Sequence, residues 1–205
     1  MSEHAQYIPG PANVAHIEKD GEKWTLVVAK ELRHSPEKVW PALTDPAQLR
    51  EWAPFDADGN LGAVGATVKL TTVGAPSPPP QRAKSGPAGG PGPRITETTV
   101  TRADYPKSLE YTWGQFNMRW ELEAVGSGTR LTLWINIGRP YIAMGAAGWQ
   151  VCFDVLDRFL SGTPIGRIAG PQAMNFDGWH RLHAEYAKQF GVEIPSWVPK
   201  PPQPS

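Results

Sequence analysis

The sequence predicts one α+β domain in which a curved antiparallel sheet wraps a long C-terminal helix. Three observations predict it. Runs of alternating apolar and polar residues follow one another between 94 and 137, joined by short turns bearing Gly or Pro. Residues 141–160 then change the apolar period from two to between three and four. Two short helices, signalled by their caps, fall between the first strand and the rest.

Residues 24–32 alternate Trp24, Leu26, Val28 and Leu32 against Thr25, Val27 and Glu31, which predicts a strand. Ser35, Pro36 and Glu37 supply a cap, a first-turn proline and a carboxylate for the positive end of a helix dipole, and predict a helix to about Leu43. Asp45, Pro46 and Gln48 repeat the device for a second helix. Residues 66–73 form a further strand. Four more are expected at 94–103, 108–113, 118–125 and 130–137, with turns at Tyr105-Pro106, Gly114-Gln115 and Gly126-Ser127-Gly128. One apolar and one polar face per strand means a sheet covered on one side only. The cover is 141–160: Ile142, Ala146, Trp149, Cys152, Phe153, Leu156 and Leu160 share one face, and Gln150, Asp154, Asp157 and Arg158 the other. Gly162 suits a left-handed helix end, and a last helix at about 177–190 presents Trp179, Leu182 and Tyr186.

Three segments resist this reading. Residues 1–18 are expected to be a flexible lead, 75–93 (APSPPPQRAKSGPAGGPGP) a long surface loop, and 194–205 a proline-rich tail, leaving 19–193 as the domain. Equal numbers of acidic and basic residues give zero formal charge, which argues against nucleic acid and anionic lipid as partners. No apolar run approaches the ~18 residues of a membrane span, and residues 1–13 lack a basic start followed by an apolar stretch, so a cytoplasmic protein is expected. The single cysteine, Cys152, rules out a disulfide within one chain and a multi-thiolate zinc site.

Candidate chemistry is sparse. His34 could be a general base between strand and helix, although a turn histidine is the plainer reading. Asp56 and Asp58 could act as a carboxylate pair, yet beside Gly59 they read first as turn formers. His180 and His183, with Asp177 nearby, have a helical spacing that can hold a metal, but a solvated helix face explains them without one. Cys152 could be a nucleophile or a small buried residue. No phosphate-binding loop or nucleophile elbow is present, and no cofactor or metal is expected. The stronger signal lies in the nine tryptophans. Trp52, Phe55, Tyr111, Trp113, Trp120, Trp149 and Phe153, with Cys152 and Leu156, should converge between sheet and long helix, where they either line a ligand cavity or fill it. Trp134 falls on the opposite sheet face, where it could mark a partner surface.

Residues 33–46 (RHSPEKVWPALTDP), followed by Leu49 and Trp52, resemble the opening motif of the START-like SRPBCC superfamily. More narrowly they resemble the homologues of the heat-shock-protein-90 ATPase activator, as does the strand PKSLEYTW at 106–113 and the Gly148-Trp149 start of the long helix. The resemblance spans roughly 24–191. It implies a helix-grip fold, a cavity between sheet and C-terminal helix, no cofactor, and a role in binding a small hydrophobic or aromatic molecule. Two alternatives follow from the same resemblance. One is a cyclase- or hydrolase-type enzyme acting on a polyketide-like or aromatic substrate, using His34, Asp56 or Cys152. The other is a stress-response co-chaperone domain whose partner is a chaperone ATPase. A homodimer is a further partner expectation. The long 75–93 loop and the break at 162–171 depart from the family pattern.

Overall fold

The computed structural model describes residues 7–74, 95–196 and 198, so the 75–93 loop and most of the proline-rich tail lie outside the described residues. Six strands form the main antiparallel sheet: β1 (Ala15–Asp20), β2 (Lys23–Leu32), β6 (Arg102–Asp104), β7 (Ser108–Trp113), β8 (Phe116–Val125) and β9 (Gly128–Asn136), in the order β1-β2-β9-β8-β7-β6. A second sheet holds β3 (Phe55–Ala57), β4 (Thr67–Thr72) and β5 (Ile95–Thr99). Helices α1 (Pro36–Thr44) and α2 (Pro46–Trp52) follow β2. The long α3 (Ile142–Leu160), the short α4 (Pro171–Met174) and α5 (Asp177–Phe190) follow the strands. This is the curved sheet and long helix of the helix-grip fold.

The alternation places the apolar rows as expected. Leu26, Ile135, Met118 and Tyr111 stand side by side across β2, β9, β8 and β7, and Val28, Leu133, Trp120 and Leu109 form the next row. All eight are buried. Arg119, Arg130 and Asn136 point the other way and are exposed. Gly114-Gln115 and Gly126-Ser127 close two-residue hairpins, with Trp113 opposite Phe116 and Val125 opposite Gly128. Asp45 caps α2 by accepting from the backbone N–H of Ala47 and Gln48. Ser35 makes no such bond at the start of α1. The expected run 94–103 divides instead, β5 pairing with β4 and β6 with β7.

α3 lies against the concave face, tightly at Gly145, where a Cβ would stand 2.7 Å from Ile137 Cδ1 and 3.4 Å from Leu26 Cδ2. Its other side departs from expectation. Gln150 is buried and Asp154 is largely so. Both are covered by α5 and by residues 7–14, part of the lead expected to be flexible. Tyr7 is buried and donates its hydroxyl hydrogen bond to Asp154 Oδ2 at 2.5 Å, and Gln150 Nε2 donates to Pro11 O at 3.0 Å. Arg181 of α5 donates to Gly10 O, and Glu185 accepts from Ala12 N. Ala15–Asp20 then enters the sheet as β1. This attachment is made mostly by side chains reaching backbone groups, which leaves no apolar period in the sequence.

Candidate functional site

α2 ends at Trp52 and a two-residue corner leads to Phe55, the first residue of β3. These two rings meet Tyr111 and Trp113 from β7, Trp120 from β8, and Trp149 and Phe153 from α3. The seven form one continuous network. Phe55 lies 6.3 Å from Tyr111 and 5.2 Å from Trp113, and Trp113 lies 6.3 Å from Trp149. Trp149 lies 5.6 Å from Trp120, and Trp120 lies 6.1 Å from Trp52 and 6.0 Å from Phe153. Several pairs meet edge to face, the arrangement that the ring quadrupole favours. Six of the seven are buried and Trp113 is half-buried; Cys152 and Leu156 are also buried on α3. The structure therefore brings together the residues singled out from the sequence, in mutual contact.

Their polar atoms differ. Trp52 Nε1 donates to Ala42 O at 2.8 Å, and Trp113 Nε1 donates to Thr72 Oγ1 at 3.1 Å. Trp120 Nε1 donates to the Tyr111 hydroxyl at 3.2 Å. That hydroxyl is an acceptor in this bond, and nothing among the described residues accepts its own proton. Tyr111 is 3 % exposed, and burial raises its pKa, so it stays protonated and remains a donor. The indole of Trp149 makes no hydrogen bond among the described residues, but its Nε1 is not among the buried unpaired atoms.

The other candidates separate. His34 Nε2 faces Ser161 Oγ at 3.4 Å, beyond the end of α3. Ser161 is nine residues from Cys152, roughly 13 Å along a helix. Cys152 is buried and its thiol is pushed up to about 12, chiefly by burial, with Arg167 holding it down and Asp154 adding to the rise. It is a neutral thiol at pH 7. Asp56 pairs with Arg167, Oδ1 to Nη1 at 2.7 Å. Asp58 Oδ1 accepts from Lys69 N at 2.7 Å, which is the turn role. No hydrogen bond joins any two of His34, Asp56 and Cys152 among the described residues. His180 contacts Met174 O at 2.6 Å. His183 does not lie on a solvated face: it is buried with its ring 4.9 Å from that of Trp179. Among the described residues no group of three or more His, Cys, Asp or Glu could hold a metal ion. Trp134 is half-buried under the Arg119 guanidinium, 4.1 Å from the ring centre.

Arg167 was not foreseen. Residues 162–171 read only as a break between helices, and an isolated arginine in a Gly- and Pro-bearing stretch carries no spacing that points anywhere.

With that geometry in place, the sequence profile of the family described as "Polyketide cyclase / dehydrase and lipid transport" matches residues 23–155, more than half of the chain. The chain belongs to this family. No curated protein matches it in sequence. Solved structures share its fold. EF2215 from Enterococcus faecalis, a conserved protein of unknown function, superposes with a TM-score of 0.58 at 14% identity, over 86% of this chain and 90% of its own. CalU16 from Micromonospora echinospora gives 0.57 at 16%, over 87% and 96%. MLL2253 from Mesorhizobium loti gives 0.51 at 26%, over 68% and 98%. Among the described residues no helix is long and apolar enough to cross a membrane.

Proposed function

We propose that this member of the polyketide cyclase/dehydrase and lipid transport family binds a small aromatic or apolar molecule at the ring network between α2, β7 and α3. The observation that carries the reading is the buried Tyr111 hydroxyl, whose proton has no acceptor among the described residues. A buried donor without a partner costs about 1–3 kcal/mol, so a site that keeps one is suited to a guest that supplies the acceptor. The surrounding rings give the flat, dispersive contact that an aromatic guest needs. The reading assigns no reaction to the site, because Cys152 is held as a neutral thiol and His34 and Asp56 each face other partners. A narrower kinship with the heat-shock ATPase activator homologues is supported by the motifs at 33–52 and 106–113.

The test is calorimetric titration with naphthalene and 2-naphthol, the second adding one oxygen. The wild type should prefer 2-naphthol. Tyr111→Phe should lower 2-naphthol affinity about two- to tenfold, the span of one net hydrogen bond, and leave naphthalene unchanged. Absence of heat and of thermal shift with both compounds would remove the reading.

A further inference from the structure

We propose that the ligand is an anion, an aromatic carboxylate, and that Arg167 binds its charge at the edge of the ring network. The proposal rests on the binding role argued above and names the chemistry of the guest. Arg167 sits where the chain passes from Trp52 to Phe55. Its Nη1 donates to Asp56 Oδ1 at 2.7 Å and approaches Ala53 O at 3.4 Å. Ala53 follows Trp52 and Asp56 follows Phe55, so the guanidinium is anchored against the corner that carries two of the rings. On the α3 side its positive charge is felt at the buried Cys152 thiol, between Trp149 and Phe153 in sequence. The charge therefore lies beside the chain corner that carries Trp52 and Phe55.

What remains uncommitted on this side chain decides the ligand class. Among the described residues, Nε and Nη2 make no hydrogen bond. These atoms form the edge that meets a carboxylate with two parallel N–H···O bonds. The other arginines in ion pairs are surface residues: Arg102, Arg119, Arg130 and Arg181 have side chains 40–52 % exposed. Arg167 is 21 % exposed. The side chain as a whole is thus partly withdrawn from water, where a charge-assisted bond gains strength. Asp56 holds one N–H and fixes the plane of the guanidinium. At 38 % exposure its own charge is screened, so it weakens a bound anion without excluding it.

The experiment is calorimetric titration with 2-naphthoate and its neutral counterpart 2-naphthamide. The wild type should bind the naphthoate about tenfold more tightly. Arg167→Gln should abolish that preference and leave naphthamide affinity unchanged. Asp56→Asn, which removes the competing carboxylate, should tighten naphthoate a few-fold and does not depend on the Gln variant folding. Naphthamide bound as tightly as naphthoate by the wild type, or a preference surviving in Arg167→Gln, overturns the charge assignment and leaves the binding site standing. Failure of both probes overturns the site and the assignment together.

Discussion

The two sides of α3 are built on opposite principles. On the outer side Gln150 and Asp154 are fully answered, although Asp157 Oδ1 is buried without a partner among the described residues. Gln150 accepts from the Tyr186 hydroxyl at 2.5 Å and donates to Pro11 O, and Asp154 takes both the Tyr7 hydroxyl and the Lys30 ammonium. On the inner side large rings meet, yet the buried Tyr111 hydroxyl keeps a proton without an acceptor among the described residues. The contrast separates two uses of buried polarity. A network of paired side chains fixes how a layer docks, whereas a donor left open inside a wall of rings is set for something the chain does not itself supply.

The largest effect should come from breaking the outer network around Asp154. Lys30 stands in a row with Leu131 and Leu122 on the concave face, so its charge depends on Asp154. The two side chains are only 19 % and 15 % exposed. Asp154→Ala strands that ammonium and the Tyr7 hydroxyl, and should cost about 3 kcal/mol of stability, the lower end for a broken buried pair. Urea denaturation measures it. A loss below about 1 kcal/mol would mean that the outer network is ornamental to docking.

His183 tests the same side through pH. Burial, with His180 adding, lowers its pKa to about 4, so the folded state holds it neutral. Between about 4 and the usual 6.5 the unfolded chain binds a proton that the folded chain does not. Its contribution is therefore complete above pH 6.5 and declines as pH falls toward 4. Stability should drop by about 2 kcal/mol across that window, and His183→Asn should flatten the slope. Parallel pH profiles in the two proteins would refute it.

The same contrast explains what could be read from the sequence. The inner side was legible because period two and period 3.6 both put apolar residues there: Leu131, Leu133 and Ile135 on β9, and Trp149, Phe153 and Leu156 on α3. Convergence of the seven rings followed once the order of elements was known. The outer side was not legible. Gln150 and Asp154 look like solvent-facing residues, because their partners are a backbone carbonyl of Pro11, a tyrosine 147 residues away and a lysine on an otherwise apolar row. The division of 94–103 between two sheets was hidden for a related reason: Thr98 Oγ1 accepts from Thr112 N at 3.0 Å, a side chain replacing a ladder bond. Arg167 acquires meaning only when the fold brings it to Ala53 and Asp56.

Two tyrosines give the smallest and sharpest comparison. Tyr186 on the outer side donates to Gln150 and accepts from Val14 N at 3.3 Å, whereas Tyr111 on the inner side only accepts, from Trp120. Tyr186→Phe leaves the buried Gln150 oxygen without that donor and should cost about 1.5 kcal/mol. Tyr111→Phe removes an unanswered donor along with one bond, so the two changes nearly offset and the cost should stay below about 1 kcal/mol. Ligand affinity should respond in the reverse order: Tyr111→Phe weakens 2-naphthol binding and Tyr186→Phe does not. Equal stability losses in the two variants would mean that the Tyr111 proton is already satisfied. Its burial would then be ordinary packing, and the difference between the two sides of α3 would reduce to one of composition.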